Sequence, residues 1–367
     1  MPKVRVLIAD DSVVIRRLLS DCLGQDPEIE VAGTAANGSI ALAKIEQLNP
    51  DLVTLDVEMP VLNGLETLAA IRKIRPRLPV IMFSTLTERG AATTLDALTL
   101  GANDYVSKPS NTGSVSVSLQ LIKEEMVPKI KALCRPMPRC ARPTRPVVPG
   151  ASSMPVGQIA VVAIGVSTGG PNALSVLLPG LVRPFPVPVL LVQHMPPLFT
   201  RLLADRLSSV SARSVREAYA GAVVRPSEVW VAPGGYHMEV RREDGTVKLW
   251  THQGPPENSC RPAVDVLFRS VAQTFGSGSV AVVLTGMGQD GLRGCEHIRE
   301  AGGRILVQDE GSSVVWGMPG AVAQAGLADR ILPLSQLSAE INRLAGVEPK
   351  ADETRGREGV LGPMHEP

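Results

Sequence analysis

The chain has 367 residues, of which 44% are apolar and 20% are charged, and its formal net charge is +1. This composition predicts a globular protein of two or three domains, and the balanced charge gives no indication of a protein that binds nucleic acid or an anionic membrane. The five cysteines are scattered without a Cys-x-x-Cys pair, which argues against a disulfide framework and against a zinc site. We find no signal peptide and no apolar run of the roughly 18 residues that a membrane helix needs, so we expect a cytoplasmic protein.

Residues 1–133 alternate short β-branched runs with helical patterns. The predicted strands are Val4–Ala9, Val31–Ala35, Leu52–Leu55, Val80–Ser84 and Tyr105–Ser107, and helices are predicted to begin near Val13, Ser39, Gly64, Glu88 and Gly113. Strands that alternate with helices form a parallel sheet covered on both faces. We therefore predict a first domain with a five-stranded parallel sheet.

Residues 134–157 break this alternation. The segment contains six prolines and four arginines but no acidic residue. Such a composition forms neither a helix nor an interior strand, and it predicts a semi-extended linker. The arginines could also dock a partner, and the sequence leaves that alternative open.

The alternation returns over residues 158–346, which we predict to be a second domain. Its predicted strands are Ile159–Val166, Val187–Val192, Val229–Ala232, Val280–Leu284 and Ile305–Val307, and its predicted helices are Asn172–Leu178, Phe199–Val210, Ala263–Phe275, Leu292–Ala301, Ala321–Ala325 and Gln336–Leu344. The turn signal Asp244-Gly245 predicts a β-hairpin on a sheet that is otherwise parallel. The fold class is therefore α/β, doubly wound and mostly parallel, and the polar tail over 347–367 is predicted to be disordered.

Polar groups stand at the ends of four predicted strands of the first domain. Asp10 and Asp11 follow the first strand, Asp56 and Ser84 end the third and fourth, and Lys108 follows the fifth. Because parallel strands end on one edge of a sheet, these groups can converge. Three crowded carboxylates repel one another unless they hold a cation such as Mg²⁺, and a lysine can neutralise a transferred phosphoryl group. The set therefore predicts a phosphoacceptor pocket rather than a row of helix caps.

This first domain resembles the receiver domain of two-component response regulators, which has a flavodoxin-like fold. The resemblance implies that Asp56 is phosphorylated by a histidine kinase as phosphodonor. The implied Mg²⁺ ligands are Asp10, Asp11, Asp56 and the backbone carbonyl of Glu58. The implied switch residues are Ser84, Lys108 and the aromatic Tyr105 in GANDYVSKP.

A serine in a glycine-rich turn marks the second domain. Residues 159–171 read IAVVAIGVSTGGP, in which Ser167 follows an apolar strand and lies between Gly165 and Gly169. This is the spacing of a nucleophile elbow, although a phosphate cradle has a similar pattern. His194 and Asp290 each follow a further apolar strand, where they fit a base and an orienting acid for acyl transfer. The chain order Ser, His, Asp differs from the order Ser, Asp, His of the α/β-hydrolases and argues against that family.

Residues 158–346 resemble the catalytic domain of the CheB family of chemotaxis protein-glutamate methylesterases. The matching stretches are GVSTGGP, VQHMP, APGGYHM, LTGMGQDG and VQDEGSSVVWGMP. The resemblance implies Ser167 as nucleophile, His194 as base and Asp290 as orienter, with the oxyanion bound by the Met287 N–H and at Thr168. It also implies glutamate methyl esters on chemoreceptors as substrates, deamidation of receptor glutamine, and no cofactor for ester hydrolysis.

Three positions depart from the family pattern. Ala263 stands where serine is usual, Trp316 replaces a phenylalanine, and Gly320 replaces a basic residue. None of them belongs to the triad, so their expected effect is on the substrate groove. His237 is a further candidate for the cleft lining, whereas the other unassigned histidines fit surface positions.

The sequence as a whole predicts a phosphorylation-activated esterase whose unphosphorylated receiver covers the Ser167 cleft. A phosphorylation-gated binding module without catalysis is the alternative that stays open. A DNA-binding regulator is disfavoured, because the chain has no basic stripe and no helix-turn-helix pattern. We expect a monomer that binds chemoreceptors and a histidine kinase, binds no nucleic acid and inserts into no membrane.

Overall fold

The first domain contains a five-stranded parallel sheet in the computed structural model, which describes residues 2–108, 115–134 and 159–347. Its strands are β1 Val4–Ala9, β2 Ile29–Ala35, β3 Leu52–Asp56, β4 Val80–Ser84 and β5 Asp104–Ser107. Its helices are α1 Val13–Gly24, α2 Gly38–Leu48, α3 Gly64–Ile74, α4 Glu88–Thr99 and α5 Val115–Cys134. The strand order is β2-β1-β3-β4-β5, with every neighbouring pair parallel. The predicted architecture of this domain is confirmed.

The second domain contains a seven-stranded sheet in the order β14-β13-β12-β6-β7-β9-β8, again with parallel neighbours throughout. The strands are β6 Val161–Val166, β7 Val189–Gln193, β8 Val215–Glu217, β9 Val229–Val231, β12 Ser279–Val283, β13 Arg304–Gln308 and β14 Arg330–Leu332, and a hairpin is formed by β10 His237–Glu243 and β11 Thr246–His252. The helices are α6 Gly170–Leu177, α7 Phe199–Ser211, α8 Val264–Phe275, α9 Leu292–Glu300, α10 Met318–Gln324 and α11 Leu334–Leu344.

Strand β6 is the centre of this second sheet. All six of its residues are buried, which explains the unbroken apolar run VVAIGV. From β6 the chain continues to β7 on one side, and it later returns to β12 on the other side. This reversal of strand order opens a crevice at the carboxyl end of β6, the position where open α/β sheets bind their ligands.

Two details differ from the sequence-based expectation. The hairpin around Asp244-Gly245 forms, but it is a separate two-stranded sheet that packs on α8 instead of extending the parallel sheet. Strands β8 and β14 were not predicted, because three residues are too few to show a periodic pattern. The predicted linker and the predicted disordered tail fall almost wholly outside the described residues.

The two domains pack against each other through helices. Helix α4 of the first domain contacts α6 and α7 of the second. Because α6 follows Ser167 directly, this contact brings the first domain to the edge of the Ser167 crevice. Among the residues that the structure describes, no helix combines the length and the apolar character needed to cross a membrane.

Candidate active site

The three residues predicted for acyl transfer follow three adjacent strands. Ser167 follows β6, His194 follows β7, and Asp290 lies in the loop after β12. Strands β7 and β12 are the two neighbours of β6, so the strand order brings the three side chains to one crevice. The sequence placed each residue after a strand but did not show which strands are neighbours. The strand order of the sheet shows that the three strands are adjacent.

The Ser167 turn is fixed by hydrogen bonds to its backbone N–H and carbonyl groups. The Ser167 N–H donates to the Thr285 carbonyl at 3.0 Å, and Gln193 Nε2 donates to the Ser167 carbonyl at 2.9 Å. Gly169 has φ of +78°, and a Cβ there would lie 2.6 Å from Val314 Cγ2. Only glycine fits this backbone conformation and this close approach, so the turn holds the serine in one position.

Asp290 is held by a ring of donors. His194 Nε2 lies 2.8 Å from Asp290 Oδ2, and the N–H groups of Val264 and Asp265 at the start of α8 donate to the same carboxylate at 2.6 and 3.0 Å. Asn258 Nδ2 donates at 2.8 Å. Burial by itself would raise the pKa of Asp290, but the hydrogen bond with His194 and the backbone donors outweigh burial and lower that pKa. The carboxylate is therefore charged and well oriented.

The other nitrogen of His194 faces a cysteine. His194 Nδ1 lies 3.6 Å from Cys260 Sγ, and Ser167 Oγ forms no hydrogen bond with any residue that the structure describes. Burial disfavours the imidazolium, but the hydrogen bond with Asp290, supported by Cys260, raises the pKa of His194 to about 10. A general base must be neutral and within reach of its proton. The structure thus brings His194 and Asp290 together but does not join His194 to Ser167.

Of the two expected oxyanion donors, Thr168 follows the serine in the chain, and Met287 follows a glycine that packs against the serine. A Cβ on Gly286 would be 2.8 Å from Ser167 Cβ, so the glycine lets the next residue approach the nucleophile. The N–H of that residue, Met287, donates to no acceptor among the described residues. The hydroxyl of Thr168 is occupied, because it donates to Asp104 Oδ2 of the first domain at 2.6 Å.

A cavity next to Ser167 is lined by both domains. Its volume of about 30 Å³ has room for no more than a few water molecules. The lining residues of the second domain include Ser167, Thr168, Gln193 and His194, and those of the first are Leu98, Asp104, Tyr105 and Lys129. A cavity of this size cannot admit a glutamyl ester, so the first domain covers the cleft.

Close contacts hold this cover in place. The Tyr105 ring stacks on Phe199 at 4.6 Å between centroids and 8° between planes, and burial raises the pKa of the Tyr105 hydroxyl well above its usual value. Asn172 Nδ2 of α6 donates to the Leu98 carbonyl at 2.6 Å. Two ion pairs at the rim join Arg201 to Glu88 and Arg206 to Asp96. The expected switch aromatic therefore lies inside the interface between the domains.

The predicted acid pocket forms at the carboxyl edge of the first sheet. Carboxylate oxygens of Asp10, Asp11 and Asp56 lie within 4.8 Å of one another. Lys108 Nζ lies 2.9 Å from Asp10 Oδ2 and 2.8 Å from Asp56 Oδ2. Burial and the neighbouring Asp10 raise the pKa of Asp56 to about 6, although Lys108 opposes this shift. Hard oxygen donors around one lysine fit a hydrated Mg²⁺, which takes few protein ligands.

The remaining predicted receiver residues are placed differently. Glu58 is exposed, and its N–H donates to Asp56 Oδ1 at 3.3 Å. The buried hydroxyl of Ser84 donates to the Gly90 carbonyl at 3.2 Å and is thus tied to the first turn of α4. Thr85, not Ser84, lines the 140 Å³ cavity over the carboxylates. Ser84 would have to rotate to reach a phosphoryl group.

The departures from the family pattern have local structural accounts. Ala263 is fully buried at the N-cap of α8, where Asp290 supplies the side-chain oxygen that a serine would give. The Trp316 indole donates to the Gln308 carbonyl at 3.1 Å, and a Cβ on Gly320 would lie 3.0 Å from that ring. A side chain at position 320 would require the indole to shift by a few tenths of an ångström, so glycine at 320 suits the larger ring at 316.

His237 does not line the cleft cavity. It is buried, its Nδ1 accepts from the Ala263 N–H at 3.2 Å, and its Nε2 lies 3.0 Å from the Pro255 carbonyl. These two bonds join both ends of the loop over 253–263. That loop carries Asn258 and Cys260, so His237 holds in place the loop that contacts Asp290 and His194.

Sequence reasoning missed four residues at the site. They are Asp104, Asn258, Cys260 and Asp265. Asp265 accepts the Gly291 and Gly294 N–H groups at 2.9 and 2.7 Å and so caps the helix after Asp290. An acid in the first turn of a predicted helix was the available signal for Asp265. Nothing in the sequence signalled the other three.

Comparison with known proteins accords with both halves of this description. The family profile described as CheB methylesterase matches residues 162–341, and that of the response regulator receiver domain matches residues 6–120. A Trichodesmium erythraeum protein named protein-glutamate methylesterase/protein-glutamine glutaminase is 54% identical over 94% of this chain and 100% of its own length. A Nocardioides protein of the same name is 52% identical over 95% and 98%.

The chain belongs to the CheB methylesterase family. The family resemblance noted in the sequence is thereby confirmed for both domains. Among solved structures, the Thermotoga maritima CheB methylesterase catalytic domain is 40% identical and covers 50% of this chain and 97% of its own, with a TM-score of 0.49. The response regulator domain of Thermotoga maritima CheB is 43% identical over 35% of this chain and 94% of its own, with a TM-score of 0.32.

Proposed function

We propose that this CheB family member hydrolyses glutamate methyl esters on chemoreceptors, releases methanol, and also deamidates receptor glutamine. The observation that carries the proposal is the convergence of Ser167, His194 and Asp290 at three adjacent strand ends in a domain of methylesterase type. The names of its relatives state both activities. These names do not favour the alternative of a binding module without catalysis.

Ser167 acts as nucleophile and His194 as base. Because Asp290 holds Nε2, the nitrogen that receives the serine proton is Nδ1, which must first leave Cys260 and lose its own proton. The serine oxygen then attacks the ester carbonyl carbon, and the negative oxygen formed is stabilised by the Met287 N–H and at Thr168. His194 returns the proton to the departing methanol.

Water completes the reaction. His194 takes a proton from the water, whose oxygen attacks the acyl carbon, and the bond to Ser167 breaks as the serine oxygen regains a proton. The products are the glutamate carboxylate and the free enzyme. With glutamine as substrate, ammonia leaves in place of methanol. Asp290 stays ionised throughout and stabilises the imidazolium.

Phosphorylation of Asp56 controls access to this site. A receiver domain uses a divalent metal, generally Mg²⁺, which would be held by Asp10, Asp11, Asp56 and the Glu58 carbonyl and would favour phosphoryl transfer by neutralising charge. Ser84 and Lys108 then turn to the phosphoryl oxygens, and Ser84 leaves the Gly90 carbonyl of α4. Helix α4 and Tyr105 carry the contacts to the second domain, so a change there loosens the cover.

The energy required for this control is modest. A tenfold activation corresponds to about 1.4 kcal/mol of difference between the covered and open arrangements. Phosphorylation replaces the Asp56 carboxylate by an acyl phosphate of about −1.5 to −2 charge, so the pocket gains about −0.5 to −1 beside the carboxylates of Asp10 and Asp11. This change is large enough to rearrange Lys108, which contacts Asp10 and Asp56. A histidine kinase is the proposed phosphodonor, and the methylated region of chemoreceptors in the cytoplasm is the proposed substrate.

Methanol release tests the proposal. The full-length chain is incubated with methylated receptor membranes, with and without a small-molecule phosphodonor and Mg²⁺. We expect methanol release that rises with the phosphodonor and is lost in Ser167→Ala. Equal release by the wild type and this variant would overturn the esterase assignment, and equal release with and without phosphodonor would overturn the control.

A further inference from the structure

The His194–Cys260 pair has the donor types and the spacing of a zinc site. A thiolate and an imidazole nitrogen are donors that Zn²⁺ prefers. With bond lengths of about 2.3 Å to sulfur and 2.1 Å to nitrogen, two ligands of a tetrahedral ion lie about 3.6 Å apart. Cys260 Sγ and His194 Nδ1 are 3.6 Å apart. The separation of the two atoms is therefore the one that a shared ion requires.

Asp290 prepares the imidazole for such an ion. Histidines that bind metals commonly donate their second ring N–H to a carboxylate, which fixes the tautomer and directs the free lone pair at the metal. His194 Nε2 lies 2.8 Å from Asp290 Oδ2, so Nδ1 is the ring nitrogen that faces the cysteine and, once deprotonated, can bind an ion. Ligand atoms of His194, Cys260 and Asp290 all lie within 4.8 Å of one another.

The loop that carries Cys260 is held rigidly. Backbone hydrogen bonds run in both directions between Cys260 and Glu257, at 2.8 and 3.1 Å. The Glu257 carboxylate accepts two hydrogen bonds from Arg269 of α8, at 2.9 and 2.6 Å. Since α8 also anchors Asp290, the thiol and the carboxylate are fixed to the same helix. This rigidity distinguishes the pair from a thiol on a loose surface loop.

We propose that His194 and Cys260 form an inhibitory site for a thiophilic divalent cation, with Zn²⁺ as the expected ion. Binding forms one bond to Nδ1 and one to Sγ and releases the Nδ1 proton of the imidazolium and the thiol proton to solvent, and water or Ser167 Oγ completes the coordination. The ion occupies the nitrogen that the serine proton needs. The effect on activity rests on the proposed esterase function, whereas binding of the ion does not.

This site was not foreseen from the sequence. The scattered cysteines argued against zinc, because the usual motifs place their ligands close together in the chain. Here 66 positions separate the two ligands, and the fold alone joins them. The acid pocket of the first domain offers only hard oxygen donors, so the two metal sites differ in the ions they prefer.

The test measures zinc binding and methanol release on the full-length chain, with Mg²⁺ in excess to occupy the acid pocket. Free Zn²⁺ is set with a chelating buffer, and each variant is compared with its own rate without zinc. We expect the wild type to bind one more zinc ion than Cys260→Ser, and the variant to need about tenfold more zinc, or higher, for half inhibition. Cys134→Ser, which removes a thiol at the end of α5, is the matched control and should behave as the wild type.

Two further measurements keep the outcomes distinct. Co²⁺ used in place of zinc should give a thiolate-to-cobalt charge-transfer band in the wild type that is absent in Cys260→Ser, and His194→Gln should lose the same bound ion. Equal zinc binding and equal sensitivity in wild type and Cys260→Ser would overturn the proposal. If the wild type shows no esterase activity even without zinc, the proposed function fails, while the binding and cobalt data still test the site.

Discussion

The acid pocket of the receiver and the Ser167 cleft lie at equivalent edges of two parallel sheets, yet their groups are joined to different extents. In the acid pocket Lys108 already contacts both Asp10 and Asp56. In the cleft His194 is bound to Asp290 and faces Cys260, while Ser167 lacks a hydrogen bond to His194. The input site is assembled and open, whereas the output site is covered and only partly assembled. A signal that uncovers the cleft and frees His194 would therefore switch the enzyme on.

Removal of the nucleophile should have the largest effect. By analogy with other serine hydrolases, we expect Ser167→Ala to reduce turnover of the methyl ester by roughly 10⁴- to 10⁶-fold. Phosphorylation of Asp56 should be unaffected, since the acid pocket belongs to the other domain. Methanol release and incorporation of labelled phosphate, measured on the same preparation, check both statements. Near-normal ester hydrolysis by the variant would exclude Ser167 as nucleophile.

Removal of the phosphoacceptor should abolish stimulation. Asp56→Asn keeps the shape of the side chain but cannot form the acyl phosphate, so the ratio of rates with and without phosphodonor should fall to one. Glu58→Gln is the matched control, because only its backbone carbonyl is expected at the metal, and it should retain stimulation. Stimulation that survives in Asp56→Asn would show that another residue receives the phosphoryl group.

The strand-end rule explains why both sites could be predicted from the sequence. Apolar runs that become parallel strands precede Asp56 and Lys108 in one domain and Ser167 and His194 in the other. Polar residues at such strand ends lie on one edge of the sheet, independently of the conformation of the loops. The strand order then determined which ends are neighbours. Asp290 was predictable for the same reason, because it follows the apolar run of β12.

Contacts made by irregular loops and between domains could not be predicted in this way. Cys260 lies in a loop with no periodic pattern, and its approach to His194 depends on how α8 packs. The bond between Asp104 and Thr168 depends on how two separately folded domains dock. Periodicity and strand ends contain no information about either, so these were the residues that the sequence did not reveal.

Loss of the Asp104–Thr168 bond should weaken the cover. This buried bond to a charged acceptor is of a kind worth about 1.5–3 kcal/mol, so Asp104→Ala should raise the basal esterase rate by about tenfold or more. Glu88→Gln removes the exposed ion pair with Arg201, and exposed pairs of this kind contribute about 0–1 kcal/mol to stability. This variant should therefore raise the basal esterase rate by less than about fivefold. Methanol release without phosphodonor measures both rates. A basal rate in Asp104→Ala no higher than that of the wild type would show that this contact does not restrain the enzyme.

The smallest expected effect concerns His237, which supports the assembled half of the cleft. Its Nδ1 accepts the Ala263 N–H and must therefore stay unprotonated, and burial, followed by the neighbouring His252, lowers its pKa below the usual value. In the unfolded chain this histidine takes up a proton near its ordinary pKa of about 6.5. Below that pH the unfolded state binds more protons than the folded state, so stability falls as pH decreases towards the lowered folded pKa, and it is fully retained above pH 6.5.

Between the ordinary and the lowered pKa of His237, the free energy of unfolding can fall by about 1.4 kcal/mol for each unit by which the pH decreases, since one group binds at most one proton. His237→Gln cannot titrate, so its stability should depend less on pH below 6.5 than that of the wild type. Denaturant unfolding of the full-length chain at several pH values measures the difference. His297→Gln, which changes a histidine of α9 that does not contact the loop over 253–263, is the matched control and should keep the wild-type slope. Equal acid slopes in wild type and His237→Gln would mean that this histidine is not held neutral by the loop. The anchor for Asn258 and Cys260 would then have to lie in Arg269 and Glu257 alone.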